Sequence, residues 1–367
     1  LRIGLKIFLP AAALCVFLPA IAARAARLAS PEDPHLLYTG RFDWRDPAGP
    51  RCEWSASSVD LRFRGPSIAI RLRDSGSDDY ELVVDQNPSV FHAQAGDQTV
   101  HLPADLPAGE HEVTLCKRTE AFVGRGQLLG VELPEGTELL PAQRPTRRIE
   151  VIGDSISCGY GNEATDQHVR FSPRSENAWL AYGAIAARSV GAGYVCIAWS
   201  GRKMWPDDTI PAIYDLTLPT DPTSTWDFAA APPPDAVLIN LATNDFGRKN
   251  PDQADWTAAY EAFVHRVRGH YPKAMIYLAA GTMMSDAYPP GHAAMTTLRR
   301  YLRQISSDLQ ASGETRCRLI DFGTQDAAVD GLGADYHPSL KTHRKMAAQW
   351  VNALHADLGW TAPTTQP

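Results

Sequence analysis

The period of the hydrophobic pattern changes partway along this chain, and no other feature of the sequence constrains the fold as tightly. From Leu36 to about Leu140 apolar and polar residues alternate. The runs are Val59-Asp60-Leu61-Arg62-Phe63, Ser67-Ile68-Ala69-Ile70-Arg71-Leu72, Tyr80–Asp85, Gln98–Leu102 and Glu110–Cys116, cut by Gly, Pro, Asn and Asp. Alternation with period two sends successive side chains to opposite faces of a strand, so this segment is expected to be an antiparallel β-sandwich with no helix of any length. Trp54 is expected in its core.

Pro134 to Arg148 reads as a linker closing on the basic pair Arg147-Arg148. Beyond it, apolar strands at Ile149–Ile152, Tyr194–Ala198, Ala236–Leu241, Met275–Ala279 and Arg318–Phe322 alternate with helical stretches at Ala178–Val190, Ala254–His270 and Ala293–Gln310. A last helix is expected near Leu340–Asp357. Strands apolar on both faces, separated by helices, imply a parallel sheet covered on both sides. In such folds the chemistry sits just past the carboxyl ends of the strands.

Ahead of both segments, Arg2 and Lys6 precede a run from Ile7 to Ala22 that is nearly all apolar, broken by Pro10 and Pro19. Ala20-Ile21-Ala22 and Ala23-Arg24-Ala25 follow as A-x-A sites. This pattern reads as a secretory leader rather than a spanning helix, which places the protein in the periplasm or the medium. The expected organisation is a leader over 1–26, a sandwich over 36–140, a linker over 141–147 and an α/β domain over 148–358. Without Cys15 of the leader, five cysteines remain, so at least one thiol stays unpaired within a chain; Cys52 and Cys116 share a half, but spacing does not establish a bridge. A net charge of −7 without any basic block argues against nucleic acid as a partner. No C-x-x-C or H-E-x-x-H occurs, so neither a metal site nor a cofactor is expected. The mature chain is expected to be a monomer with no membrane partner.

Four blocks stand at the predicted strand ends. Gly153-Asp154-Ser155 follows the first parallel strand, Trp199-Ser200-Gly201-Arg202 the second, and Asn240-Leu241-Ala242-Thr243-Asn244-Asp245 the third. Gly333-Ala334-Asp335-Tyr336-His337-Pro338-Ser339 leads into the last helix. Alone, Gly-Asp-Ser would read as a serine capping an ordinary helix. The four blocks in this order resemble the GDSL/SGNH hydrolases. The earlier residues Thr39-Gly40-Arg41-Phe42, Cys52-Glu53-Trp54-Ser55, Gly109–Val113 and Lys117-Arg118-Thr119-Glu120 resemble the β-sandwich of the carbohydrate esterase family 2 enzymes, and Gly159-Tyr160-Gly161-Asn162 and the blocks at 200–202 and 335–339 resemble the α/β part of the same family. That resemblance implies a jelly roll joined to a flavodoxin-like three-layer SGNH domain. It also implies a secreted enzyme that removes O-acetyl groups from plant polysaccharides or their oligosaccharides.

It implies roles as well. Ser155 is the expected nucleophile, since a neutral hydroxyl needs a base, and His337 is that base. The Gly201 N–H and the Asn244 side-chain amide are the expected oxyanion donors, while Asp154 and Asp245 orient loops. Two positions depart from the family pattern. Ala242 stands where the third block usually has glycine, a mild change by size. Ala334 stands where the acid usually precedes the histidine by three residues. The acceptor for His337 Nδ1 is therefore either the Asp335 carboxylate or a backbone carbonyl of the same loop, and the use of a main-chain carbonyl in several relatives favours the latter. Among the aromatic residues, Trp205 and Tyr336 are candidates for stacking on sugar rings, whereas Trp199 reads as core. Two other functions compete: a lipase, arylesterase or thioesterase on the same fold, which needs an apolar acyl groove, and a non-catalytic carbohydrate-binding protein, which needs Ser155 or His337 to be missing.

Overall fold

A computed structural model describes residues 27–103 and 106–361, so the expected leader lies outside the described residues. The first half folds as two antiparallel sheets. Its strands are β1 (Arg27–Ala29), β2 (Leu37–Thr39), β3 (Arg51–Cys52), β4 (Ser58–Arg64), β5 (Ala69–Asp74), β6 (Asp79–Val84), β7 (Asn87–His92), β8 (Gly96–His101), β9 (Glu110–Lys117), β10 (Gly126–Leu133) and β11 (Glu138–Leu140). One sheet runs β1-β10-β5-β8 with β3 on β10; the other runs β11-β4-β9-β6-β7 with β2 on β4. Val59, Leu61 and Phe63 of β4 meet Ile70 and Leu72 of β5 and Val131 and Leu133 of β10 in a shared apolar core. The alternation that marks β4 in the sequence is the two-sidedness of this strand.

Two strands escape the alternation argument for different reasons. The edge strand β7 is almost wholly exposed, so it has no apolar face to alternate. In β10 the register shifts between Leu128 and Gly130, and a bulge of this kind breaks the period. The stretch read as a linker contributes β11, which pairs with β4, and at its end Arg147 already opens the next strand. Upstream, β1 pairs with β10 and extends the sandwich before Leu36.

The second half comprises β12 (Arg147–Gly153), α1 (Ser155–Cys158), α2 (Tyr182–Val190), β13 (Ala192–Ala198), α3 (Ile210–Ile213), β14 (Ala236–Asn240), α4 (Gln253–His270), β15 (Met275–Ala280), α5 (Ala294–Ala311), β16 (Cys317–Asp321), α6 (Ala327–Asp330) and α7 (Leu340–Leu358). The sheet is parallel in the order β13-β12-β14-β15-β16. Trp256, Phe263, Leu298 and Leu302 of α4 and α5 pack on one face, and Tyr182, Ala187, Trp350 and Leu354 of α2 and α7 on the other. Strand order reverses at β12, which lies between β13 and β14. There Gly153 pairs with both Ala198 and Asn240. The chain segments leaving these three strands therefore start level and side by side, which brings the first three blocks together at the switch point.

The halves share packing. Trp54 is buried, as expected of a core residue, but it packs among Ile197, Met204, Ile210 and Tyr214 of the second half, and its indole donates to Leu216 O at 3.3 Å. Between β3 and β4 the chain dips out of the sandwich, which is why alternation could not locate this side chain. Arg41 is fully buried near Glu150, 3.8 Å away, and donates to Leu216 O at 3.1 Å and to Tyr214 O. Buried charge persists only when so partnered. Among the described residues all five cysteines are buried and unbridged, including Cys52, whose thiol burial pushes up to about 12. Among the described residues no helix is long and apolar enough to cross a membrane.

Candidate active site

Ser155 opens the single turn α1 directly after β12. Asp154 caps the turn, accepting the Ile156 N–H at 3.1 Å, and burial pushes its carboxyl up to about 7. The sharp reversal needs glycine before it, because a Cβ on Gly153 would stand 2.0 Å from Ser157 Oγ. From the other end of the domain His337 brings Nε2 to 2.8 Å from Ser155 Oγ, across 182 residues of sequence.

The acceptor for the far side of the imidazole is the Ala334 carbonyl. It takes His337 Nδ1–H at 3.1 Å and the His337 backbone N–H at 2.9 Å. Two consecutive non-glycine residues, Asp335 (φ 48°) and Tyr336 (φ 66°), turn the chain through the left-handed region and fold it back on itself. The same turn carries the Asp335 carboxylate away from the histidine. It accepts instead from Tyr160 Oη at 2.9 Å, the Phe171 N–H at 3.2 Å and Arg170 at 3.3 Å. Of the two acceptors left open by the sequence, the Ala334 carbonyl is hydrogen-bonded to the imidazole at 3.1 Å, and the Asp335 carboxylate makes its hydrogen bonds elsewhere. Position 334 packs closely against Gly161. Ala334 is buried, and a Cβ on Gly161 would already lie 2.3 Å from its own.

With Nδ1 donating to a carbonyl, Nε2 presents a lone pair to the serine hydroxyl, the arrangement a general base requires. Burial pushes the His337 pKa down to about 4, opposed by the Ala334 carbonyl and the Asp335 charge. With His337 as the base its neutral form would be the competent one, so with a lowered pKa activity is expected to be gained as pH rises through that value. An acetyl-ester kcat/KM profile is expected to climb near pH 4 and stay level between about pH 6 and 8; an acid limb above pH 6 would refute the assignment.

Gly201 and Asn244 line the same cavity of about 240 Å³ as Ser155 and His337, together with Tyr160, Ser200, Thr243 and Met283. Gly201 adopts φ +79° with open space where a Cβ would stand, so backbone conformation rather than crowding calls for glycine. Asn244 Nδ2 donates to Arg202 O at 2.9 Å, which orients the amide and leaves its second N–H available. Asp245 ties the loops together by accepting from the Met204 N–H at 3.1 Å, the Trp205 N–H at 3.0 Å and Trp256 Nε1 at 2.8 Å. Ala242 is less innocent than its size suggests. It sits at φ +139°, where a side chain is strained by about 1–3 kcal/mol, so the usual glycine answers to backbone geometry.

Neither aromatic candidate lines this cavity. Trp205 is half-buried against the core beneath, and Tyr336 is 56% exposed beside His337. Trp199 is likewise half-buried on that core, under the Arg202 guanidinium. Sequence reasoning passed over Tyr160, whose ring stacks on His337 with centroids 4.1 Å apart. It lies in the Gly-Tyr-Gly-Asn run, whose only signal was family likeness.

The family model described as carbohydrate esterase 2 N-terminal matches residues 38–142, and the GDSL-like lipase/acylhydrolase family model matches residues 151–345. The chain is 37% identical over 337 residues, 90% of its length, to the cellulase/esterase CelE of Acetivibrio thermocellus, and spans 40% of that relative. It is 28% identical to an acetylxylan esterase/glucomannan deacetylase of Cellvibrio japonicus, matching 89% of this chain to 90% of that one. A solved family two carbohydrate esterase from Clostridium thermocellum, in complex with cellohexaose, has a TM-score of 0.83 at 37% identity, covering 89% of this chain and 99% of that one.

Proposed function

Because the chain belongs to carbohydrate esterase family 2, we propose that it removes O-acetyl groups from polysaccharides or their oligosaccharides through a Ser155–His337 dyad. The observation that carries this reading is the line of hydrogen bonds from Ser155 Oγ through both ring nitrogens of His337 to Ala334 O, at 2.8 and 3.1 Å. His337 Nε2 takes the serine proton as Oγ attacks the acetyl carbonyl. The carbonyl oxygen becomes an oxyanion facing the Gly201 N–H and the Asn244 amide. As this intermediate collapses, the imidazolium returns its proton to the departing sugar oxygen and leaves an acetyl-serine. A water activated by the same nitrogen then releases acetate. Export of the mature chain is part of the proposal.

The wall of the serine cavity supports a small acyl group. Beside Ser155 and His337 it is lined by Tyr160, Ser200, Gly201, Thr243 and Asn244, with Met283 the one aliphatic side chain. A lipase would need a continuous apolar groove. On nitrophenyl esters the rate is therefore expected to fall by about tenfold or more from acetyl to butyryl, since a misfitted acyl group costs roughly 1–3 kcal/mol. Equal rates across chain lengths would favour the lipase reading. Acetate release from acetylated xylan, glucomannan and pectin, compared side by side, tests the carbohydrate assignment; release from none of them would reject it.

A further inference from the structure

From the end of β9, the Lys117-Arg118-Thr119-Glu120 run leaves the sandwich and enters the second half, where the mechanism above gives it no part. Its backbone is clamped from inside. Lys117 is fully buried, and its ammonium donates to Asp78 at 2.7 Å and to the Thr119 and Glu120 carbonyls at 2.9 and 3.0 Å. Arg118 O accepts the Ala178 N–H at 3.0 Å. The Glu120 side chain, 0% exposed, then reaches the loop beyond β13. One carboxylate oxygen accepts the Ser200 N–H at 2.5 Å and the other accepts from Ser200 Oγ.

Ser200 immediately precedes Gly201. Gly201 has no side chain to anchor it and open space where a Cβ would stand, and the turn over Ser200 and Gly201 is closed by the Arg202 N–H to Trp199 O contact at 3.2 Å. We propose that Glu120 is a positioning residue of the esterase, a carboxylate from the sandwich that fixes Ser200 and thereby aims the Gly201 N–H at the developing oxyanion. It acts through Ser200 and does not touch substrate. Oxyanion donors gain their effect from being held in place before charge develops, so a loosened Gly201 loses transition-state stabilisation without losing ground-state binding.

Glu176 completes the arrangement. One of its oxygens accepts the Glu120 N–H at 3.1 Å, while the other has no donor and faces the Glu120 carboxyl. Burial and the neighbouring Glu120 charge push the Glu176 carboxyl well above the usual carboxylate range. Both oxygens of Glu120 accept from Ser200, one from its N–H and one from its hydroxyl.

The inference rests on the Ser155 reading above, and the test separates the two. Glu120→Gln, Ser200→Ala, the double variant and Ser155→Ala are assayed for kcat and KM on an acetyl ester, with Tm recorded for each. Glu120→Gln keeps the shape but loses one acceptor. It is expected to lower kcat by about 10- to 100-fold with KM nearly unchanged, short of the 10²–10³-fold cost of deleting an oxyanion donor. Ser200→Ala should cost several-fold, and the double variant no more than Glu120→Gln alone, because both act through one contact. A wild-type kcat in Glu120→Gln, losses that multiply in the double variant, or a lowered Tm with kcat of the folded protein unchanged would each overturn the proposal. If Glu120→Gln does not fold, Ser200→Ala decides: a several-fold loss in kcat at constant KM supports it, and no loss overturns it. Activity surviving in Ser155→Ala would overturn the Ser155 reading and this one with it. An inactive Ser155→Ala beside a wild-type-like Glu120→Gln would overturn this one alone.

Discussion

Ser155→Ala is expected to lower acetyl-ester hydrolysis by at least about 10³-fold, leaving the residual that oxyanion binding alone can supply. The prediction follows from the position of the hydroxyl. Ser155 Oγ is the group that meets His337 Nε2, at 2.8 Å, and it opens a turn whose cap and glycine do not depend on the hydroxyl. Removing one oxygen there leaves the Asp154 cap and the apolar contacts of Ile156 intact, so the melting temperature should stay within a few degrees. Retention of more than a few per cent of activity would place the nucleophile elsewhere.

The second large effect is a contrast between neighbours. His337→Ala should cost several orders of magnitude in kcat, because among the described residues no other base is hydrogen-bonded to Ser155 Oγ, whereas Asp335→Asn should cost about tenfold or less. Asparagine is the suitable replacement, since it tolerates the left-handed backbone at this position and still accepts hydrogen bonds from Tyr160 and Phe171. When an aspartate orients a catalytic histidine, its neutralisation costs about 10⁴-fold through the wrong tautomer. Here the tautomer is set by Ala334 O, which the substitution leaves in place. What Asp335 supplies is negative charge near the ring, and its loss should move the acid limb of the pH profile further down. A loss for Asp335→Asn near that of His337→Ala would restore the carboxylate to a triad.

Much of the fold and of the site is legible in the order of the residues. The change of period separates the two halves, and the rule that parallel sheets do chemistry at their strand ends points to Ser155, Gly201 and Asn244. Their convergence follows from one register fact: Gly153 pairs with Ala198 on one side and Asn240 on the other. Three things stay hidden. Strand β7 is exposed and β10 is bulged, so neither carries a clean alternation. The partner of His337 depends on two positive φ angles, which residue identities such as Asp and Tyr do not announce. Contacts such as Tyr160 on His337 and Glu120 on Ser200 join residues from separate segments, and local patterns carry no information about such pairs.

The central claim, that one serine acts on acetylated carbohydrate with His337 as its base, is tested most directly by covalent labelling. The protein is treated with a serine-directed phosphonate, its peptides are mapped by mass, and acetate release from acetylated xylan and glucomannan is followed in the same sample. The account predicts a single adduct on Ser155 whose extent matches the lost acetate release, and no adduct in His337→Ala over the same time. Full inactivation with the adduct on another residue, or acetate release that survives complete modification of Ser155, would contradict it.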